Sequence, residues 1–248
     1  MLDIQEQQIL SAWHQNAQPW IDAIANNEIE SRIAVTNQAI IDAVLAEPTQ
    51  TAVDIGCGEG WLVRSLTSHG LDMLGADGVP QLIEQAQLSG NGQFRQVTYE
   101  EIANGQLNDS FDTAICNFSL LGHNSTLELF TTFPNLLNSN GRLIVQTLHP
   151  LIACGTEAYE DGWRPGSWAG FKGNFVTVPW YFRTLETWVA LFTQHGFRLI
   201  HLYEPINPST GHPASVILVG RLTPIGLFLA LHEVCPSKTG CLEIIAGS

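Results

Sequence analysis

Basic residues are scarce in this chain of 248 residues, which has ten lysines and arginines against 24 aspartates and glutamates. The formal net charge is −14 at pH 7. A nucleic-acid surface needs clustered lysine and arginine to neutralise phosphates, and no run of basic residues occurs. The composition therefore argues against a nucleic-acid partner.

Signals for export, membrane insertion and metal binding are also missing. The N-terminus lacks a basic region followed by an apolar core, and the longest apolar run, 225–231, is too short to cross a bilayer. The five cysteines include no CxxC pair, although Cys235 and Cys241 could approach one another. No histidines show HxxxH or HExxH spacing, so no metal is expected. We expect a cytoplasmic protein without a membrane partner.

Apolar spacing predicts two helices before the first strand, over residues 9–26 and 29–45. Strand and helix patterns then alternate along the chain. The expected strands cover 52–55, 71–77, 94–98, 111–118 and 142–148. Such alternation predicts a parallel sheet with helices on both of its faces.

The alternation stops at residues 149–183, which carry glycine, proline and many aromatic residues without a sustained period. A segment of this length inside a compact domain is usually a lid or a binding insertion. A helix over 184–195, with Thr184 as a candidate cap, and two strands over 197–203 and 214–221 follow. The chain thus divides into a leading segment 1–48, a domain 49–221 with the insertion 149–183, and an extension 222–248.

A glycine-rich turn follows the first strand, in the sequence Asp54-Ile-Gly-Cys-Gly-Glu-Gly60. Glycine permits unusual backbone dihedrals and the close approach of a ligand to the main chain. The spacing is GxGxG after Asp-Ile, which differs from the GxGxxG of dinucleotide-binding folds. It resembles the first motif of the class I S-adenosylmethionine-dependent methyltransferases. A tight turn without a ligand is the alternative interpretation.

The order of elements over about 51–221 resembles the same family. The resemblance implies an α/β, Rossmann-like fold: a seven-stranded, mostly parallel sheet with helices on both faces and the last strand antiparallel. It also implies that residues 1–48 lie over a cleft for S-adenosylmethionine. The candidate cofactor-binding residues of this sequence are Arg32, Asp54, Gly56, Cys57, Gly58, Asp77, Gly78, Val79, Tyr99, Glu100, Asn117 and Phe118.

By resemblance, Asp54 accepts from the amino group of the methionine moiety, and Asp77 accepts from both ribose hydroxyls, which are donors. Val79, just beyond Gly78, would cover one face of the adenine. Tyr99 and Glu100 are candidates near the adenine amino group. Each acid also has a structural alternative, a helix cap for Asp54 and a plain turn for Asp77.

The other candidates leave two interpretations open. Tyr99 and Glu100 could lie in a solvated loop. Asn117, before Phe118, could pass under the methionine part of the cofactor or cap a turn. Arg32 could pair with the methionine carboxylate or be an exposed helix arginine.

Two residues are candidates for contact with a methyl acceptor. Methyl transfer from a sulfonium is an in-line displacement, so alignment and water exclusion matter most, and a base is needed only for a protonated nucleophile. His149 follows the fifth strand and is expected to face the cleft as that base, or else to fix the turn before Pro150. Tyr181 is expected to orient the substrate or to form part of the lid.

These observations predict methyl transfer to a small molecule, with oxygen favoured and nitrogen or carbon open. The aromatic insertion fits an acceptor of aromatic or other planar shape, although aromatics also pack in cores. The protein is expected to be a monomer or a homodimer. The alternatives are an S-adenosylmethionine-binding protein without transferase activity and a nicotinamide-dependent oxidoreductase.

Overall fold

The computed structural model describes residues 4–224, and within them the core is one seven-stranded sheet. The strand order is β3-β2-β1-β4-β5-β9-β8. Strands β1 to β5 run parallel to one another, whereas β9 lies antiparallel between β5 and β8. The bounds are β1 (Thr51–Ile55), β2 (Asp72–Asp77), β3 (Gln93–Gln96), β4 (Phe111–Asn117), β5 (Leu137–Thr147), β8 (Phe197–Tyr203) and β9 (Val216–Leu222). The predicted fold class is confirmed.

Helices cover both faces of this sheet. Their bounds are α1 (Ile4–Ala25), α2 (Asn37–Leu45), α3 (Trp61–Ser68), α4 (Pro80–Leu88), α5 (Tyr99–Ala103), α6 (Asn124–Leu136), α7 (Pro150–Ala153) and α8 (Leu185–Gln194). Side chains alternate between the two faces of a strand. Val53 accordingly packs with α5, α6 and α8, while Ala52 packs with α2, α3 and α4.

The first helix begins at Ile4 and not at residue 9, and the second begins with a π-helical segment, Arg32–Thr36. Strand β5 and the insertion also depart from the expected elements. Strand β5 begins at Leu137, not at Arg142, because the buried Leu137 already pairs with Phe111 before the irregularity at Asn140. The insertion 149–183 is also more regular than its composition suggested. It contains α7 and a hairpin of β6 (Gly162–Arg164) and β7 (Trp180–Phe182). Aromatic-rich sequences with short paired strands show too few alternations to reveal a hairpin.

Two features noted in the sequence lie outside the described residues. These are the apolar run 225–231 and the cysteine pair Cys235 and Cys241. Within residues 4–224, no helix is both long enough and apolar enough to cross a membrane.

Helix α1 lies over the carboxyl ends of the strands and is held there by Glu6. The Glu6 carboxylate is buried and accepts from the backbone N–H groups of His123 and Asn124, both at 2.7 Å, and from the Ser125 hydroxyl at 2.7 Å. These groups begin α6, whose N-cap, His123, makes no side-chain cap bond of its own. An acidic side chain is stabilised at a helix N-terminus. Glu6 therefore caps α6 from a distant part of the chain.

Replacement of Glu6 by alanine should destabilise the fold by about 1–3 kcal/mol, because buried N–H groups would lose a charged acceptor. Urea unfolding followed by circular dichroism measures the change. Gln8→Ala, at an exposed position on the same helix, is the matched control and should change stability little. Equal midpoints for the two variants would contradict the capping role.

Candidate active site

A cavity of about 1200 Å³ opens at the carboxyl ends of β1, β2 and β4, beneath α1 and the insertion. Parallel α/β sheets bind ligands at this edge. All of the cofactor-binding candidates named from the sequence line this cavity, as does Tyr181. The fold thus brings together residues that are far apart along the chain.

The glycine-rich turn approaches the segment after β4 closely. Gly56, Gly58 and Gly60 have φ values of 76°, 57° and 81°, which favour glycine. A Cβ on Gly56 would collide with Ser119 Cβ and with Tyr99 Oη. A side chain at this position would therefore push apart the two walls of the cavity.

Asp77 is fixed by the same turn. One of its carboxylate oxygens accepts from Gly58 N and the other from Val79 N, both at 2.9 Å. Burial raises the pKa of Asp77, and these two backbone hydrogen bonds oppose the shift. Each carboxylate oxygen can accept a second hydrogen bond, so Asp77 keeps capacity for two ligand hydroxyls.

Asp54 and Glu59 are buried acids with free acceptor capacity. Asp54 Oδ1 and Glu59 Oε1 are both buried without a hydrogen-bond partner among the described residues. Burial, together with the charges of Asp77 and Glu59, raises the pKa of Asp54 to about 8, and the positive charge of Arg32 opposes this. Glu59 also lies 3.6 Å from Arg64. Such a cluster fits a ligand that brings a positive charge.

Arg32 lies opposite these acids at the start of a π-helical segment, Arg32–Thr36, that leads into α2. Its guanidinium lies 5.6 Å from the centre of the Trp20 ring and 4.9 Å from that of Trp61, and its Nε donates to Asn37 Oδ1. Burial lowers the pKa of Arg32, while the charges of Glu59 and Asp54 raise it. Arg32 is therefore a part-buried residue of the cavity wall and not an exposed helix arginine.

Tyr99 follows β3 and Asn117 ends β4, and both line the cavity. Tyr99 donates through its hydroxyl to Ser119 O at 3.1 Å, and burial raises its pKa well above the ordinary value. Tyr99 begins α5 after a capping box at Thr98, so it does not belong to a solvated loop. Asn117 Oδ1 is buried without a partner, and Phe118 has a φ of 55°, which turns the chain sharply at the cavity.

His149 does not face the cavity, which corrects the expectation from the sequence. Its side chain is buried, and Nε2 lies 2.7 Å from Glu204 Oε1, just beyond the end of β8. Thr147, Leu148 and Pro150 line the cavity, but His149 does not. The position after a strand end correctly predicted that this segment borders the cavity. The His149 side chain itself contacts Glu204 instead.

Tyr181 lies on β7, in the insertion, and lines the cavity. Its backbone N–H donates to Leu121 O at 2.7 Å, which joins the insertion to the segment after β4. Its ring lies 4.3 Å from His123 and 5.5 Å from Trp163, measured between centroids.

Sequence reasoning missed the aromatic cover of the cavity. Trp13 and Trp20 of α1 meet Trp168 of the insertion with ring centroids 5.9 Å and 6.5 Å apart. Asn16, fully buried, donates to Val176 O at 2.8 Å and accepts from Val176 N at 2.7 Å. The tryptophans were visible in the sequence as helical or irregular aromatics, but nothing local signalled that the two segments meet. Sequence reasoning also missed Glu59 as a residue of the cavity. Its position inside the glycine-rich turn could have identified it.

A profile of the family described as a methyltransferase domain matches residues 20–202, which is more than half of the chain. The chain belongs to this family. The expectation of a class I S-adenosylmethionine-dependent methyltransferase is thereby confirmed, and the buried acids and Arg32 of this cavity fit that cofactor's charged groups. No group of three or more potential ligands for a metal ion occurs among residues 4–224.

Curated relatives and solved structures resemble this methyltransferase. A ubiquinone biosynthesis O-methyltransferase of Sinorhizobium medicae is 31% identical over 103 residues, which cover 39% of this chain and 40% of the relative. The match thus spans less than half of that relative's length. An uncharacterized protein of Haemophilus influenzae is 25% identical over 209 residues, 68% of this chain and 80% of its own.

Among solved structures, the 1,6-didemethyltoxoflavin-N1-methyltransferase of Burkholderia thailandensis matches with a TM-score of 0.63 and 17% identity. The match covers 90% of this chain and 92% of that one. A putative S-adenosylmethionine-dependent methyltransferase of Listeria monocytogenes matches with a TM-score of 0.58 and 19% identity, covering 71% and 92% of the two chains. These likenesses establish the shared fold.

The raised pKa of Asp54 predicts a pH dependence of folding stability. Between the ordinary aspartate value of 3.8 and about 8, the folded chain holds a proton that the unfolded chain has released. The free energy of unfolding therefore falls as pH rises through this window. Relative to Asp54→Asn, which carries no titrating group, the ligand-free wild type should lose on the order of a few kcal/mol from pH 4 to pH 8.

Urea unfolding of the wild type and Asp54→Asn at several pH values measures this difference. Parallel stability curves over the whole range would show that Asp54 is ionised in the folded protein.

Proposed function

We propose that this methyltransferase transfers the methyl group of S-adenosylmethionine to a small molecule, with an oxygen atom as the favoured acceptor. The observation that carries the proposal is a single cavity. It is lined by the buried acids and the glycine-rich turn and also by aromatic residues, among them Trp168, Tyr181 and Trp188. Its volume of about 1200 Å³ exceeds the range of about 300–1,000 Å³ usual for one small ligand. This supports room for a cofactor and an acceptor together.

The residues at the strand ends would hold the cofactor. Asp77 has acceptor capacity for the ribose hydroxyls, and Asp54 and Glu59 for the cationic amino group. Arg32 offers a charged fork to the carboxylate. Gly78 and Val79 line the part of the cavity beyond Asp77, and Glu100 lies on the same side as Tyr99. When bound, the sulfonium of the cofactor supplies an activated methyl group.

The protein's part in the reaction is alignment and the exclusion of water. The contact between the glycine-rich turn and Ser119 fixes one wall of the cavity, and Tyr181 with the β6–β7 hairpin forms another. The tryptophan cluster and the Asn16–Val176 pair hold α1 and the insertion together over the site. An enclosed site of this kind strengthens electrostatic contacts and keeps the reacting atoms oriented.

Each segment of the chain can be given a part in this function. We assign residues 1–48 to a helical cover, 49–221 to the methyltransferase domain and 149–183 to an insertion that closes the acceptor side.

Enclosure by the insertion favours a small acceptor over a macromolecule. The name of the Sinorhizobium relative favours oxygen as the acceptor atom, whereas the Burkholderia structure is named for transfer to nitrogen.

An S-adenosylmethionine-binding protein without transferase activity is the second candidate. In such a protein, we expect the protein's own side chains to fill the pocket for the methyl acceptor. The cavity instead extends past Tyr181 to Trp188, which favours the transferase. The decisive experiment incubates the protein with S-adenosylmethionine and a panel of small phenols, amines and carbon acids, and measures S-adenosylhomocysteine. Cofactor binding with no product from any class would favour the binding protein.

Replacement of Asp77 by alanine should weaken S-adenosylmethionine binding by about 1–3 kcal/mol, the loss expected for hydrogen bonds to a charged acceptor. Isothermal titration calorimetry measures the affinity. Asp72→Ala removes an exposed acid at the other end of β2 and should leave the affinity unchanged. The same affinity in both variants would remove Asp77 from the cofactor site.

A further inference from the structure

Arg183 is a buried cation for which the described part of the chain supplies no partner anion. It follows β7, lines the cavity and is 2% exposed. Its Nη2 donates to the carbonyl oxygens of Gly122 at 2.7 Å and His123 at 3.2 Å, while Nη1 has no hydrogen-bond partner within residues 4–224. No ion pair joins Arg183 to a carboxylate among those residues.

The acids whose charges reach Arg183 are engaged elsewhere. Glu6 uses both of its oxygens at the start of α6, and Asp161 Oδ1 accepts from Thr184 N at 2.8 Å. Burial lowers the pKa of Arg183 to about 10, so the guanidinium remains charged at neutral pH. A buried charge without a counter-ion is costly, and a paired and hydrogen-bonded one is much less so.

Two aromatic rings hold the guanidinium in place. Its central carbon lies 4.9 Å from the ring centre of Tyr181 and 5.2 Å from that of Trp188. Both rings line the same cavity. The hydrogen bonds of Arg183 go to Gly122 and His123, just before α6, and not to the glycine-rich turn. The contacts of Arg183 are thus with the segment after β4, with β7 and with α8, and none of them is with a cofactor-binding candidate.

We propose that Arg183 binds a carboxylate of the methyl acceptor, so that the substrate class is an aromatic or other planar carboxylic acid. This inference rests on the proposed function and specifies its substrate. A carboxylate supplies the missing anion and an acceptor for Nη1, whereas a neutral carbonyl would leave the charge unbalanced. Tyr181 and Trp188 contribute the apolar surface against which a flat ring would pack.

The test compares carboxylates with their uncharged amides as ligands of the protein saturated with S-adenosylhomocysteine. The probes are benzoate and benzamide, 4-hydroxybenzoate and 4-hydroxybenzamide, and indole-3-carboxylate and indole-3-carboxamide. We expect the carboxylate to bind about tenfold or more tightly than its amide in at least one pair. Equal or weaker binding of every carboxylate overturns the proposal.

The substitution Arg183→Met removes the charge and keeps much of the side-chain length. It should abolish the preference for the carboxylate and leave the affinity for S-adenosylhomocysteine unchanged. A preference that survives in this variant overturns the proposal. If Arg183→Met does not fold, as judged by circular dichroism, Arg183→Gln takes its place with the same two outcomes.

Arg164→Met is the matched control, because Arg164 is a second buried arginine of the same hairpin. Its Nη2 donates to Ala158 O at 2.6 Å and its guanidinium lies 3.6 Å from the Phe182 ring, but it does not line the cavity. This variant should keep the preference for carboxylates. The titrations do not require turnover, so failed methyl transfer with retained carboxylate preference would reject the proposed function alone.

Discussion

Charge balance inside the cavity at the strand ends is the constraint on which the rest of this structure depends. Three acids, Asp54, Glu59 and Asp77, are buried at the ends of β1 and β2 and beside the glycine-rich turn, and Arg32 opposes them from the leading helices. Burial of like charges is unfavourable unless hydrogen bonds or opposite charges offset it. Asp77 is offset by two backbone N–H groups, whereas Asp54 Oδ1 has no hydrogen-bond partner among the described residues and the pKa of Asp54 is raised to about 8. A ligand cation beside Asp54 would lower this pKa and favour the ionised carboxylate.

The same principle operates at the other end of the cavity with the opposite sign. There the surplus charge is the positive one of Arg183, and the nearby acids are engaged by backbone groups. The two ends therefore differ in what they lack, a cation near β1 and an anion near β7. Two ligands of different charge can therefore each favour a different part of the cavity.

Most of the sheet could be predicted from the sequence, since strand and helix periods, the glycine-rich turn and the acids at strand ends are local signals. The π-helical start at Arg32, the hairpin in the insertion and the distant cap supplied by Glu6 could not. The cap depends on a contact between residues 117 positions apart in sequence, and Asn16 meets Val176 over a separation of 160 positions. The hairpin has strands of only three residues each, which is too short for a periodic signal. The direction of a side chain after a strand end, as at His149, is decided by tertiary packing that one sequence does not encode locally.

The cap at Glu6 has a consequence for how ligands exchange. Because one carboxylate both anchors α1 above the cleft and completes the first turn of α6, the cover cannot lift at that end without leaving helix N–H groups unpaired. The free-energy cost of lifting α1 therefore includes the loss of the N-cap of α6. Entry and release through this side would then be limited by the loss of a helix cap, so that product residence time and the local stability of α6 would vary together.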